Sequence, residues 1–354
     1  MKTRAFYRWA LFALLVVGMV GSAPVLFAGG QGEKQVAGKI RIGYIVKTLG
    51  NTFWQKYAAG AQAAAKKLGV EVVVRDVPTE QDFKAQLDVA QTMVNENFNA
   101  FVAASITSTN LIPAIAQANQ KNKPWIVVSE DQDPQVLQQM NASVTTKCRL
   151  SFYNEGIIIG KYVASRLNGN GKVGIIEGMA GISATRDRIQ GIKDVFKDFP
   201  GLTIVASQPG DWLREKAHDA AANMIQANPD INAIIANNDT MALGAAVAAD
   251  QAGKKGQIIV TGDDGTDEAY QAIKDGSLDA TVDGIPWLIA YYSVYAAVKA
   301  VIENAKILPN LDLFPSLVTK DNVEDVMKTS PVPTQASFDQ NKNIYWPIKG
   351  WTQD

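Results

Sequence analysis

The sequence predicts an α/β protein of two Rossmann-like lobes with parallel central sheets. Three observations carry that prediction. Apolar, β-branched runs alternate with amphipathic helical stretches nearly to the end of the chain; the alternation starts afresh about midway; and the composition is that of an ordinary globular chain. There are 354 residues, 47% of them hydrophobic, with 34 Lys+Arg against 35 Asp+Glu.

The first series opens with a buried strand at 40–46. A helix at 53–68 follows, with Phe53, Tyr57, Ala61, Ala65 and Leu68 on one face. A strand at 70–75 leads to a helix at 81–97, in which Phe83, Leu87, Ala90 and Val94 recur at spacings of three and four. Strands at 100–104 and 125–128 bracket a helix at 112–121. The connections are short, which calls for right-handed crossovers around a parallel sheet. The second series runs helix 155–167, strand 172–177, helix 185–197, strand 203–207, helix 214–227 and strand 233–236. It continues with helix 241–252, strand 258–261, helix 267–274 and strand 280–283. A long helix at 288–304 and a last strand at 314–319 close the pattern. The chain is expected to cross between lobes near 150–154, 283–286 and 314–317. That divides it into an amino-terminal lobe of 39–151 plus 286–315 and a carboxyl-terminal lobe of 152–285 plus 316–354. Lobes joined by several crossings can open and close around the gap between them.

Residues 1–28 read as a secretory signal peptide rather than as part of the fold. Lys2, Arg4 and Arg8 form a positive start, Ala10 to Val20 is apolar, and Ala28-Gly29 offers a cleavage point. Gly21, Ser22 and Pro24 break the apolar run short of the ~20 residues that a spanning helix needs. Residues 29–38 form a polar leader. Cleavage near Ala28 removes three of the 34 cations and none of the 35 acids, leaving a mildly acidic chain of net charge −4, expected in the periplasm.

Several function classes fall away. One Cys, Cys148, and one His, His218, leave no disulfide framework, no Cys-cluster metal site and no HExxH zinc motif. No basic field is present to hold nucleic acid. Gly156-Ile-Ile-Ile-Gly160-Lys161-Tyr162 is one residue short of a phosphate loop and ends in Tyr where Ser or Thr is needed. Gly181-Ile-Ser183 lacks the second Gly of a nucleophile elbow, and no GxGxxG follows the first strand. No catalytic residue, cofactor or metal is expected.

The informative residues lie where strands end and helices begin, the loops that line ligand crevices in open α/β sheets. Asn51-Thr-Phe53-Trp54 carries two adjacent aromatics, which cannot both point into the core from neighbouring helical positions. In 178–188, Arg186 sits in the first turn of a helix, where the dipole disfavours a cation, hinting at a partner outside the helix. Asp211-Trp212, Asn237-Asn238-Asp239 and Gly262-Asp263-Asp264-Gly265-Thr266 complete the set. Each could merely cap its helix. Together they supply what a neutral polyhydroxylated ligand needs: aromatic faces for C–H surfaces, and amide, carboxylate and guanidinium groups for hydroxyls.

At these loops the chain resembles the periplasmic sugar-binding proteins of ABC transporters, in the ribose-binding branch of the type I periplasmic binding proteins. Asn51-Thr-Phe53-Trp54 is similar to the family's Asn-Pro-Phe-Phe, Gly181-Ile-Ser-Ala-Thr-Arg186-Asp-Arg188 to its Gly-Thr-Ser-Ala-Ala-Arg-Glu-Arg, and Ser207-Gln-Pro-Gly-Asp211-Trp212 to its Ser-Gln-Pro-Ala-Asp-Phe/Trp. Asn238-Asp239-Thr-Met-Ala-Leu-Gly244 and Asp264-Gly-Thr266 also match. The resemblance covers residues 40–319. It implies two lobes joined by three strands, a closing cleft, no catalysis, and delivery of ligand by a monomer to a membrane permease. Its ligand positions fall on Asn51, Phe53 and Trp54 in the first lobe and on Arg186, Trp212, Asn238 and Asp264 in the second.

The departures bear on which ligand is bound. Where ribose binders carry an Asp-Arg pair, this chain has Ser129-Glu130 followed by Asp131; where they carry a Gln, it has Gly284 beside Asp283. Lys47 replaces a small polar residue and resembles the Lys of the related autoinducer-2 binders. Lys47, Glu130, Asp131 and Asp283 are therefore added as candidate ligand contacts. The expected ligand is a neutral sugar or sugar alcohol. The alternatives are an autoinducer-2-type furanosyl ligand, a sugar sensor for a membrane receptor, and a secreted enzyme.

Overall fold

The computed structural model describes residues 39–303 and 310–332. The expected signal peptide and leader lie outside the described residues. Two six-stranded sheets organise the described residues. The first series supplies β1 (Arg41–Ile45), α1 (Thr52–Leu68), β2 (Glu71–Arg75), α2 (Phe83–Asn95), β3 (Ala100–Ser105), α3 (Ile112–Gln120), β4 (Trp125–Ser129), α4 (Pro134–Gln139) and β5 (Thr146–Arg149). The second supplies α5 (Phe152–Arg166), β6 (Asn170–Glu177), α6 (Ser183–Phe196), β7 (Gly201–Pro209), α7 (Arg214–Ala227), β8 (Ala233–Ala236), α8 (Asp239–Gln251), β9 (Ile259–Thr261), α9 (Asp267–Asp275) and β10 (Ala280–Asp283). Then come α10 (Pro286–Glu303), β11 (Asn310–Asp312), β12 (Ser316–Thr319) and α11 (Val323–Thr329).

The first sheet has the order β11-β5-β4-β3-β1-β2 and every pairing is parallel. The second has the order β12-β10-β9-β8-β6-β7, parallel except where β12 runs antiparallel to β10. The chain thus passes between the sheets three times: after β5, after β10 and after β11. Strand β3 is buried along its whole length, as expected of a central strand covered by helices on both faces. Helices α1 and α10 pack on one face of the first sheet and α2 and α3 on the other. The second sheet is covered by α5 and α6 on one side and α7, α8 and α9 on the other.

Helix α1 begins at Asn51, whose Oδ1 accepts from the Phe53 N–H, and ends at Gly69 in the left-handed conformation. Helix α10 is apolar nearly all round because Leu288, Ile289, Tyr292 and Val298 sit deep against the first sheet. No helix among the described residues is long and apolar enough to cross a membrane. The structure adds four elements to those expected: β5, α4, β11 and α11. It also shortens the last expected strand to β12. Each added element is short, and β5 and the edge strand β11 are polar segments without an apolar run to mark them.

The glycines of the failed phosphate-loop match have a packing role. A methyl group on Gly156 would lie 2.0 Å from the Arg188 carbonyl oxygen, and one on Gly160 would lie 3.2 Å from Ile192 Cα. Bare backbone at both positions lets α5 lie close against α6. That approach brings Glu155 to Arg188.

Candidate functional site

The carboxyl ends of both sheets face a cavity lined by side chains from both halves of the chain. From the first sheet, the turn after β1 brings in Lys47, Asn51, Phe53 and Trp54. Asn51 serves twice: Oδ1 caps α1, and Nδ2 donates to Glu80 Oε1 at 3.1 Å. The same Glu80 oxygen accepts from Trp54 Nε1 at 2.9 Å, so one carboxylate fixes both side chains. Phe53 and Trp54 meet edge to face, with centroids 4.9 Å apart. Both line the cavity, Trp54 buried and Phe53 half-buried. The Lys47 ammonium lies 5.3 Å from the centre of the Trp54 ring.

From the second sheet come Arg188, Trp212, Asn238 and Asp264. Trp212 holds a positive φ of 66° at the turn into α7. Its ring lies against Gly178, where a methyl group would come within 2.0 Å of Cη2. Only a glycine leaves room for that indole. Asn238 caps α8 through Oδ1, 2.9 Å from the Met241 nitrogen. Asp264 is buried at φ 132°, held by its N–H to the Val282 carbonyl at 2.9 Å.

Arg188 is the electrostatic centre of this half. It is 6% exposed, donates from Nε to Glu155 Oε2 at 2.8 Å and from Nη1 to the Asn237 carbonyl at 2.6 Å, and pairs through Nη2 with Asp263 at 2.8 Å. Burial works against its charge, but Asp263, Glu155 and Asp264 outweigh burial and hold the guanidinium protonated. Burial pushes the carboxyls of Glu155, Asp263 and Asp264 above their ordinary range, and Arg188 pulls each back.

Four candidate residues require correction. Arg186 does not reach the cavity: its side chain is 69% exposed and pairs with the adjacent Asp187. Two residues along α6, Arg188 faces inward instead, because it shares a face with Ala184, four residues before it. Asp131 lies outside the cavity in an ion-pair cluster with Lys147 and Arg149. Asp283 is buried but belongs to a neighbouring crevice with Lys56 and Tyr270, where its Oδ1 accepts from the Ile285 N–H at 2.7 Å; burial raises its carboxyl to about 6. Glu130 is spent on the protein itself. Its carboxylate accepts from Ser183 N at 3.0 Å and Ser183 Oγ at 2.8 Å, capping α6, whose N-cap residue Ile182 has no polar side chain to offer.

The Glu130 contact spans the two sheets, and others do the same. Lys56 Nζ donates to the Gly265 carbonyl at 2.8 Å and pairs with Asp267 at 2.8 Å. Gln81 Nε2 donates to the Asp211 carbonyl at 3.3 Å. Glu80 and Glu155 are cavity residues that the sequence reading missed. Glu155 did leave a signal, lying four residues before Ile159 on the buried stripe of α5; Glu80 lies in a loop without periodicity. His218 is on α7 between Asp219 and Gln251, and Cys148 is buried with its thiol pushed up by burial.

Known proteins resemble the chain over most of its length. The D-allose-binding periplasmic protein of Escherichia coli is 35% identical over 280 residues, which is 79% of this chain and 89% of that protein. The ribose import binding protein RbsB of Bacillus subtilis is 31% identical, over 72% of this chain and 80% of its own length. Among solved structures, an ABC transporter periplasmic solute-binding protein from Actinobacillus succinogenes with bound D-allose superposes with a TM-score of 0.78 at 27% identity. That match covers 81% of this chain and all of the other. The pattern of the periplasmic binding protein domain matches residues 42–305, three quarters of the sequence, and the chain belongs to that family.

Proposed function

We propose that this chain is an exported, non-catalytic binding protein that captures a neutral sugar or sugar alcohol between its two lobes. It then presents the ligand to an ABC permease. The observation that carries this reading is the cavity itself, in which Phe53, Trp54, Tyr57, Phe152 and Trp212 and a set of orienting polar groups converge from both sheets. Its charged lining is Lys47 and Arg188 against Glu80, Glu155 and Asp264. Arg188 is already matched by Glu155 and Asp263, so no cationic surplus remains for a phosphate or carboxylate. The ligands named for its relatives, allose and ribose, are of the same neutral class.

The lobes proposed from the sequence, 39–151 with 286–315 and 152–285 with 316–354, would close on the ligand through the contacts of Lys56, Gln81 and Glu130. A ligand touching both halves favours the closed form by its differential affinity. Cleavage near Ala28 and a monomeric periplasmic form belong to the same proposal. Thermal-shift and calorimetric titration with D-allose, D-ribose, myo-inositol, their relatives among the alditols, and sugar phosphates tests it. Neutral sugars are expected to raise the melting temperature, since they bind only the native state. Stabilisation by sugar phosphates alone would overturn the reading.

A further inference from the structure

We propose that Glu155 and Gly284 form a side chamber of the cavity that receives the hydroxymethyl arm of a six-carbon sugar, and so set the choice between hexose and pentose. The inference rests on the sugar reading above and deepens it. Glu155 is fully buried and lines the cavity. Its Oε2 accepts from Arg188, whereas Oε1 accepts no hydrogen bond from any described group. A buried carboxylate oxygen without a donor is costly, and a donor brought by the ligand would relieve that cost.

The space beside Gly284 shows what kind of group fits. A methyl group built there would meet Leu150 Cδ1 at 3.4 Å, the Asp264 carbonyl oxygen at 3.6 Å and Glu155 Oε1 at 3.6 Å. All three residues also line the cavity. The chamber therefore has one apolar wall and two acceptors. The Asp264 carbonyl takes the Gly284 N–H at 3.2 Å and keeps a second lone pair. A CH₂OH group matches this pattern: its methylene packs on Leu150 and its hydroxyl donates to Glu155.

Two sugars isolate that group. The pyranose form of D-allose is that of D-ribose with a hydroxymethyl added at C5. Isothermal titration of both sugars against the parent, Glu155→Gln and Gly284→Ala gives the test. The parent is expected to bind D-allose at least roughly tenfold more tightly than D-ribose. Gly284→Ala fills the chamber without a close contact, so it should cost D-allose about tenfold or more and leave D-ribose within about threefold. Glu155→Gln should also narrow the preference for D-allose. If Glu155 acts only by positioning Arg188, its variant weakens both sugars by the same factor and Gly284→Ala leaves the preference intact, which would overturn the proposal. A parent that prefers D-ribose overturns the chamber alone. A parent that binds neither sugar, nor any other neutral sugar, overturns the sugar reading and the chamber with it.

Discussion

Replacing Arg188 with Met should cost more stability than any other single change in the cavity wall, and the cost should shrink in acid. The guanidinium is 6% exposed and bonds to two carboxylates at 2.8 Å and one carbonyl at 2.6 Å. Met fills much of the volume but leaves Glu155 and Asp263 buried without a cation. Breaking a buried pair in this way costs about 3–5 kcal/mol. At an unfolding entropy of roughly 2.1 cal/mol/K per residue, a described chain of this size loses about 5–8 °C of melting temperature. Burial already raises both carboxyls in the parent and Arg188 opposes that rise; without Arg188 they rise further. A carboxyl with a folded pKa above its unfolded value stabilises the fold at low pH and loses that contribution as pH climbs through the folded pKa. The gap between variant and parent should therefore be widest near pH 8 and narrow toward pH 5. Urea denaturation at both pH values measures it. A loss below about 1 kcal/mol, or a gap equal at the two pH values, would refute the account of Arg188 as the charge that holds these acids.

Two further outcomes follow from the same geometry. Gly178→Ala places a methyl group where the Trp212 ring lies, so it should cost about 1–3 kcal/mol of stability through overpacking and weaken sugar binding; unchanged Trp fluorescence and affinity would show that the ring does not depend on that glycine. Asp283, raised to about 6 by burial, takes up a proton on folding, so its contribution is present below the ordinary carboxylate range and fades as pH rises through 6. Asp283→Asn should flatten the change in stability between pH 5 and 7, as read by thermal melts, and an unaltered pH profile would contradict that assignment.

The alternation of strand and helix was legible because buried parallel strands are continuous apolar runs and their helices carry one apolar stripe. Segments β5 and β11 escaped because short polar strands have neither. Reading Arg186 as the inward cation relied on its place in the first turn of α6, yet the face of a helix is decided by spacing. Thr185, Arg188, Ile189 and Ile192 recur at three and four residues and are all buried, so a cation set in an apolar stripe was the better sign. Glu130 and Asp283 were singled out as departures from the family pattern, but nothing local could tell that the first caps a helix of the opposite half and the second belongs to a separate crevice. Such facts depend on residues far apart in the chain.

The placement of α10 makes the order of synthesis matter. Strand β5 ends at Arg149, but the helix that covers that sheet begins only at Pro286 and its outer strand is β11. At translation rates of about 5–20 residues per second, the ribosome needs roughly 7–27 seconds to travel between them. Throughout that interval the amino-terminal half has made its first five strands and cannot complete its core. A nascent chain of this design stays incompletely folded until nearly all of it exists, the condition under which a polypeptide can still be threaded through a narrow export channel.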